Sequence, residues 1–439
     1  MSQTITSIRG MNDILPTDIG VWHALEEAVR HVMQAYDYTE MRTPLVERSA
    51  LFHRSIGEVT DIVEKEMYTF ADRKGDSLSL RPEATASCVR AAIQHSMAQN
   101  QTTNRLWYIG PMFRYERPQK GRQRQFHQVG AEVYGVSGPA IEVELILLSA
   151  RLWKLIGISD VVQLEINTLG DMDDRAAYRE ALVNYFNEHR SLLDEDSLRR
   201  LETNPLRILD SKNPAMAEML SGAPALDHYL SAASAEHFQT LQALLDNAGV
   251  SYVKNPRLVR GLDYYSHTVF EWTTDKLGAQ SAVCAGGRYD TLFEQLGSKP
   301  VAGVGWAMGL ERLVALMTDL QPGQYQNSPD VFLIVTDDAD DYGGDAVSLS
   351  VGEWLRNEIP SLRVTRRAVP GSIKSQFKRA DKSGADFAIV IGQDEVQNGT
   401  LTLKSLGKQL LANDQEQVTL SRDDMLQTLR ASLVQAAPA

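Results

Sequence analysis

A chain of 439 residues, 43% hydrophobic and 23% charged, has an ordinary globular composition with room for two or three domains. Its formal net charge of −13 excludes a generic polyanion binder, so any nucleic-acid surface must be a local basic patch on an acidic body. Two cysteines, Cys88 and Cys284, suggest neither a disulfide framework nor a zinc site and fit reduced cytosolic thiols. No run of about 18 apolar residues marks a membrane span. The N-terminus carries Arg9 and Asp13 without a long apolar core and does not read as a signal peptide.

The opening SIRGMNDILP reads as an extended arm that turns at Pro16. A helix is predicted from about Asp18 to Tyr36, with Trp22, Leu25, Val29, Val32 and Met33 at helical spacing. In EMRTPLVERSALFHRSIG, Pro44 sits in a short apolar stretch that fits an edge strand. Residues 61–100 predict strand, turn at Lys74-Gly75-Asp76, strand, loop and helix. The loop, Arg81-Pro82-Glu83-Ala84-Thr85, places a carboxylate and a hydroxyl just before the helix. Both residue types serve as helix caps, and both are acceptors suited to an ammonium group.

Residues 107–134, WYIGPMFRYERPQKGRQRQFHQVGAEVY, predict a hairpin. Trp107 to Glu116 is the first strand, with Arg114 and Glu116 on one face. Phe126 to Tyr134 is the second, with Val129, Ala131 and Val133 on one face and Gln128 and Glu132 on the other. Between them lies a loop with Pro118 and Gly121 as turn residues and Arg117, Lys120, Arg122 and Arg124 as charge. A charged sheet face below a cationic loop suits a substrate with phosphate below and nucleic acid above, although a solvated hairpin has the same look.

A helix follows, with Ile141, Leu145, Leu148 and Leu152 as its apolar stripe, then a strand in VVQLEINTLG. Residues from about 171 to 253 are helical, polar and alanine-rich, and predict an inserted helical subdomain. RLVRGLDYYSHTVFEW sets Arg260 beside Gly261 and the pair Tyr264-Tyr265, with a strand from Thr268 to Trp272. In AVCAGGRYDTLFEQLG, Gly286 and Gly287 let a backbone approach a ligand or make a bulge. GVGWAMGLERLVALM reads as a glycine-led helix whose stripe runs through Trp306, Leu310, Leu313, Val314 and Met317, with Arg312 beside it. After a linker at 321–330, strands alternate with helices, which predicts a small α/β domain at 330–439 with a largely parallel sheet. Arg363, Arg366, Arg367, Lys374, Lys378, Arg379 and Lys382 gather there and read either as a solvated face or as a nucleic-acid surface.

The hairpin segment FRYERPQKGRQRQFHQVGAE resembles motif 2 of the class II aminoacyl-tRNA synthetases in the form found in histidyl-tRNA synthetases. RGLDYY resembles the histidine-specific motif of that family, GLER its motif 3, and the Pro44 region its dimer-forming motif 1. The motifs occur in family order, and the resemblance covers essentially the whole chain. It implies an α/β fold: a catalytic domain at 1–325 with a mainly antiparallel sheet flanked by helices, a helical insertion at about 171–253, and an anticodon-binding domain at 330–439. It implies a histidine–tRNA ligase that forms histidyl-adenylate from histidine and ATP, then transfers histidine to the end of tRNA(His).

Matching residue by residue, the resemblance implies that Arg260 and Arg114 are catalytic, clamping the reacting phosphate and carboxylate. Histidine would be held by Glu83, Thr85, Arg114, Gln128, Glu132, Arg260, Tyr264 and Tyr265. ATP, with Mg2+ and no permanent protein metal, would be held by Arg114, Glu116, Arg122, Phe126 and Arg312. Arg117, Gln119, Lys120 and Arg124 would meet tRNA. Family members often carry glycine where this chain has Ala84. A cytoplasmic homodimer away from membranes is expected. Two rivals are a synthetase-like regulatory subunit of ATP phosphoribosyltransferase and a class II synthetase for another amino acid. Arg114, Arg260, Arg312 and the C-terminal domain argue against the first, and RGLDYY argues against the second.

Overall fold

Period-two patterning in Gln125–Tyr134 sets the centre of the structure. Val129, Ala131 and Val133 are buried in the main hydrophobic core, which leaves Gln128, Gly130 and Glu132 on the opposite face. The computed structural model describes residues 4–57, 60, 62–98, 102–119, 121–209, 211, 213–259, 262, 264–278, 282–325, 328–336, 344–366, 372–407 and 415–436. The chain forms two compact units, Met1–Tyr325 and Gln326–Ala439.

The first unit is built on an eight-stranded sheet. Across it the order is Thr39–Glu40, Asn104–Phe113, Gln125–Tyr134, Gly303–Gly309, Ala282–Arg288, Ser266–Thr273, Gln163–Thr168 and Tyr252–Lys254. The two outermost pairings are parallel and the rest antiparallel. Helices Ile19–Ala35, Ala140–Leu155, Ala232–Asn247 and Leu310–Leu320 contribute their apolar stripes to the core on one face. Helix Thr85–Gln94 contributes Val89 and Ala92 to a second core that also holds Tyr134, Tyr264, Tyr265 and Tyr289.

Several elements differ from the sequence reading. Gly303–Gly309 is a strand, and the helix starts only at Leu310. Val304, Trp306 and Met308 face the helix-side core, while Gly303, Gly305, Ala307 and Gly309 alternate with them. The run of large residues at 306, 310 and 313 mimics a helical stripe but spans the strand–helix junction. The first hairpin strand ends at Phe113, so Arg114 and Glu116 lie beyond the ladder and share no strand face. The chain turns away there because the Tyr115 N–H donates to the Glu66 carbonyl at 2.7 Å and the Glu116 N–H donates to the Arg114 carbonyl at 2.8 Å. Pro44 precedes its edge strand, Val46–Arg48, in a three-stranded sheet centred on Ser77–Leu80.

Within 171–253, Tyr178, Leu182, Phe186, Leu201, Ile208 and Met216 belong to a core of their own. Its first helix, Met172–Glu188, starts at a capping box made by Asp171 and Asp174. Phe238, Leu241 and Leu245 of Ala232–Asn247 instead pack in the main core, and Tyr252–Lys254 is a strand of the large sheet.

The second unit has a five-stranded sheet ordered Val364–Arg366, Val331–Val335, Phe387–Ile391, Leu401–Ser405 and Gln417–Leu420. The first two pairings are parallel and the last two antiparallel, so the sheet is mixed rather than largely parallel. Residues 392–400 are too few for a parallel crossover, which needs about a dozen or more. The strand Gln417–Leu420 and the helix Arg422–Ala436 complete the unit.

Leu148 is fully buried between helix and sheet. Leu148→Ala is expected to lower the unfolding free energy by about 2–5 kcal/mol. Urea unfolding followed by tryptophan fluorescence reads this, since five of the six tryptophans lie in the first unit. An unchanged midpoint would remove Leu148 from the stabilising core.

Candidate active site

The site begins where helix Thr85–Gln94 starts. The Glu83 carboxylate accepts the backbone N–H groups of Thr85 at 2.6 Å and Ala86 at 3.0 Å, so it caps the helix. Burial pushes the Glu83 pKa up, and these two N–H donors oppose the shift. The capping role and a ligand role are compatible here, because Glu83 and Thr85 also line the main cavity of the sheet face. Thr85 Oγ1 donates to Glu132 Oε1 at 2.7 Å, and the Tyr289 hydroxyl donates to Glu132 Oε2. Burial lifts the Glu132 pKa to about 8 despite these donors, with Glu83 adding to the rise.

Glu132 fits on the sheet because its neighbour is a glycine. Gly305 pairs with Glu132 across the ladder, and a Cβ at Gly305 would overlap the Glu132 carboxylate. Tyr264 and Tyr265 stand beside this group with ring centroids 4.7 Å apart, and Tyr264 meets Tyr289 edge-on at 5.6 Å. The cavity, about 260 Å³, takes in Glu83, Thr85, Gln128, Tyr264 and Tyr265 at this end. Gln128 Oε1 is buried and has no hydrogen-bond partner among the described residues.

The other end of the same cavity is cationic. Arg114, Arg122 and Arg312 line it with Glu116 and Phe126. Arg114 Nε donates to the Pro82 carbonyl at 2.9 Å, and its guanidinium lies 5.3 Å from the centre of the Phe126 ring. Arg122 Nε contacts Glu116 Oε2 at 2.5 Å. Arg312 donates to the carbonyls of Gly121, at 3.3 Å, and Ala282, which ties the hairpin loop to the helix Leu310–Leu320. Burial and the neighbouring Arg122 push the Arg312 pKa down. Guanidinium groups gathered at a partly buried wall favour a polyanionic ligand.

Above this wall the hairpin loop is pinned by the N-terminal arm. The N–H groups of Arg124 and Gln125 donate to the Gly10 carbonyl at 2.7 and 3.1 Å. Gly10 has φ +85°, and a Cβ there would meet the Pro118 ring at 2.8 Å. Arg117 and Gln119 are exposed. Arg124 is half-buried: its guanidinium stacks 3.8 Å from the ring centre of the exposed Tyr115, and Nε donates to the Glu116 carbonyl.

Glu83, Thr85, Arg114, Glu116, Arg122, Phe126, Gln128, Tyr264, Tyr265 and Arg312 thus share one cavity, with Glu132 directly behind Thr85. Arg260 and Lys120 lie outside the described residues. Sequence reasoning missed Tyr289 and Glu311. Tyr289 stands just past a strand of small residues that ends in Arg288, and the buried charge beside it was the available signal. Glu311 accepts the His127 N–H at 2.9 Å and contacts His127 Nδ1 at 3.0 Å, fixing the strand on which Phe126 and Gln128 stand. Among the described residues, no group of three or more His, Cys, Asp and Glu side chains is placed to hold a metal ion. No described helix is long and apolar enough to cross a membrane.

In the second unit, Lys374, Lys378, Arg379 and Lys382 are exposed on helix Ile373–Ser383. Arg363 and Arg366 pair with Asp330 and Asp345 at 3.0 and 3.3 Å, and Arg367 lies outside the described residues.

The family model for histidyl-tRNA synthetase matches residues 10–313, and that for the anticodon-binding domain matches 352–432. Histidyl-tRNA synthetase from S. aureus is similar at 33% identity, covering 97% of this chain and all of that one with a TM-score of 0.77. The same fold occurs in histidyl-tRNA synthetase from Nostoc sp., at 19% identity over 98% of this chain and all of that one, TM-score 0.70. It occurs again in an ATP phosphoribosyltransferase regulatory subunit/histidyl-tRNA synthetase from Bacillus halodurans, at 21% identity over 89% and 99% of the two chains, TM-score 0.62. The chain belongs to the histidyl-tRNA synthetase family, whose members are class II histidine–tRNA ligases that use ATP.

The raised Glu132 pKa has a sign that experiment checks. Its stabilising contribution is fully present below its ordinary value of 4.5 and is lost as pH rises through about 8. In ligand-free protein, Glu132→Gln is therefore expected to gain stability relative to the parent as pH rises, by up to about 1.4 kcal/mol per pH unit. Denaturation curves over that window measure it. Parallel profiles for the two proteins would mean that Glu132 ionises at its ordinary pKa.

Proposed function

We propose that the cavity joins histidine to ATP in a first step and transfers it to tRNA(His) in a second. A histidine carboxylate oxygen attacks the α-phosphorus of ATP, forming the acyl-phosphate bond of histidyl-adenylate and expelling pyrophosphate. A hydroxyl of the terminal tRNA ribose then attacks the carbonyl carbon and displaces AMP. The observation that carries this reading is the polarity of one continuous cavity, with Glu83, Thr85 and the tyrosines at one end and Arg114, Arg122 and Arg312 at the other.

At the first end, Glu83, Thr85 and Gln128 supply acceptors for the ammonium group. Glu132 and a phenol of Tyr264 or Tyr265 pair with the two imidazole nitrogens. A site built to hydrogen-bond both nitrogens rejects amino acids lacking them by about 10⁴ or more. At the second end, Arg114 and Arg260 hold the histidine carboxylate and the α-phosphate in reacting geometry, and their charge opposes that which develops on the transferring group. Phe126 offers a ring face to adenine, and Glu116, Arg122 and Arg312 order the triphosphate.

Mg2+ held by the nucleotide would offset phosphate charge, with Glu116 and Glu271 on the same wall as nearby oxygen donors. No side-chain nucleophile is needed for either step. Arg117, Gln119 and Lys120 meet the acceptor end, and Arg124, stacked on Tyr115, orders the loop. The exposed basic helix Ile373–Ser383 tracks the tRNA backbone and makes binding salt-dependent. The working form is a cytoplasmic homodimer.

Amino-acid-dependent ATP–pyrophosphate exchange tests the reading, with exchange expected for histidine and none of the others. Exchange with a different amino acid would keep the reaction class and overturn the specificity. No exchange from folded protein would favour a regulatory role instead. Arg260→Ala is expected to lower histidine-dependent exchange by about 10²–10³ with the fold intact. Normal exchange by that variant would remove Arg260 from the chemistry.

A further inference from the structure

Behind the histidine end lies a buried ionic cluster to which the proposed reaction assigns no role. Arg288 is the last residue of the strand Ala282–Arg288, and its side chain is 1% exposed. Its Nε donates to Glu142 Oε1 at 2.5 Å, on helix Ala140–Leu155. Its remaining nitrogens donate to Asp290 Oδ1 at 3.0 Å, the Gly138 carbonyl at 2.9 Å and the Val136 carbonyl at 3.3 Å. Glu142 is also met by His237 Nε2 at 2.9 Å, from helix Ala232–Asn247. A guanidinium with so many fixed acceptors has one orientation available to it. Breaking such a buried pair leaves an uncompensated charge, so the arrangement resists deformation.

The strand is irregular at this point. Gly287 pairs with Val269, but Arg288 pairs with Ser266, so extra residues of the neighbouring strand bulge out. The bulge holds His267 at φ +47°, a left-handed conformation uncommon outside glycine. Two backbone bonds fix it: the His267 N–H donates to Gly170 O at 2.8 Å, and its carbonyl accepts from the Leu169 N–H at 2.7 Å. Its ring stacks on His237 at 5.2 Å. Strain held in place by surrounding bonds gathers where a side chain must be aimed.

The side chain aimed by this construction is Tyr289. It follows Arg288 and reaches the opposite face of the sheet, where its hydroxyl donates to Glu132. Its N–H donates to the Gly303 carbonyl at 2.7 Å, and Asp290, held by Arg288, accepts the Gly303 N–H at 3.0 Å. A Cβ at Gly303 would meet the Tyr289 ring at 2.6 Å, so the ring packs directly against this glycine. We propose that Arg288 is a positioning residue for histidine selection: clamped to Glu142 and Asp290, it fixes the end of its own strand, opposite the bulge, so that Tyr289 orients Glu132 toward the imidazole. The proposal rests on the histidine site described above and adds residues on the far face of the sheet to it.

The test is pyrophosphate exchange with histidine and ATP varied separately, in Arg288→Lys, Tyr289→Phe and the double variant. Lysine keeps the charge and loses the fork. Each single change is expected to raise KM for histidine about tenfold or more, with KM for ATP within about twofold. Because Arg288 acts through Tyr289, the double variant is expected to be no worse than the more damaging single one. Equal shifts for both substrates, or single effects that multiply in the double variant, would overturn the proposal. Glu142→Gln, which keeps the shape of the cluster, carries the same comparison where Arg288→Lys does not fold. Loss of the fold in both makes the cluster purely structural and overturns a positioning role. Failure of the parent protein to exchange with histidine would strike the functional reading itself, and is distinguished by that control.

Discussion

A single buried carboxylate organises the site. Glu132 faces away from the main core on a central strand, and everything around it answers the cost of keeping it there. Thr85 and Tyr289 donate to its two oxygens, Gly305 leaves the volume it occupies, and burial still lifts its pKa to about 8. These partners come from the start of one helix, the residue just past one strand and the interior of another. Their agreement on one point is what the eight-stranded sheet achieves.

The two ends of the cavity are constructed differently. At the carboxylate–tyrosine end, Gln128 and Glu132 stand on a ladder-bonded strand, with close aromatic contacts beside them. The phosphate end stands on a loop. Arg114 and Glu116 lie past the end of their strand, and Arg122 lies in the turn that the N-terminal arm and Arg312 hold down. A rigid pocket suits discrimination of a small side chain, where unpaired polar groups penalise the wrong ligand. A loop of arginines suits a triphosphate whose charge and shape change during reaction, and it lies next to the exposed Arg117 and Gln119. Net charge enters in the same way. On a chain of formal charge −13, guanidinium groups clustered at a cavity wall make a local attraction that the whole molecule lacks.

Much of this was legible in the sequence, and the limits have physical causes. That Glu83, Thr85, Arg114 and Gln128 line one cavity was expected from the match to the family motifs and not from local spacing, which put Arg114 on a strand that ends at Phe113. The stripe of Ile19–Ala35 was readable because its period is unbroken. Gly303–Gly309 was misread because Trp306 on a strand and Leu310 and Leu313 on the next helix fall at helical spacing by coincidence of the junction. The hairpin strand was drawn too long because β-favouring residues continue to Tyr115, whereas the backbone bonds leave the ladder for Glu66. The C-terminal sheet was drawn too parallel because alternation of elements does not reveal that a connection is too short to cross over.

The contact between Tyr289 and Glu132 shows the deeper limit. The two residues are 157 positions apart, and no local pattern distinguishes Tyr289 from a core tyrosine. What marks it is its neighbour. A glycine pair followed by arginine, tyrosine and aspartate places a charge at the end of a strand of small residues, where an unpaired guanidinium would be costly to bury. Arg288 is tolerated there because Glu142, Asp290 and two carbonyls surround it, and those partners in turn fix the backbone from which Tyr289 projects. The ionic cluster on one face and the tyrosine–carboxylate contact on the other are therefore anchored on the two sides of one strand end.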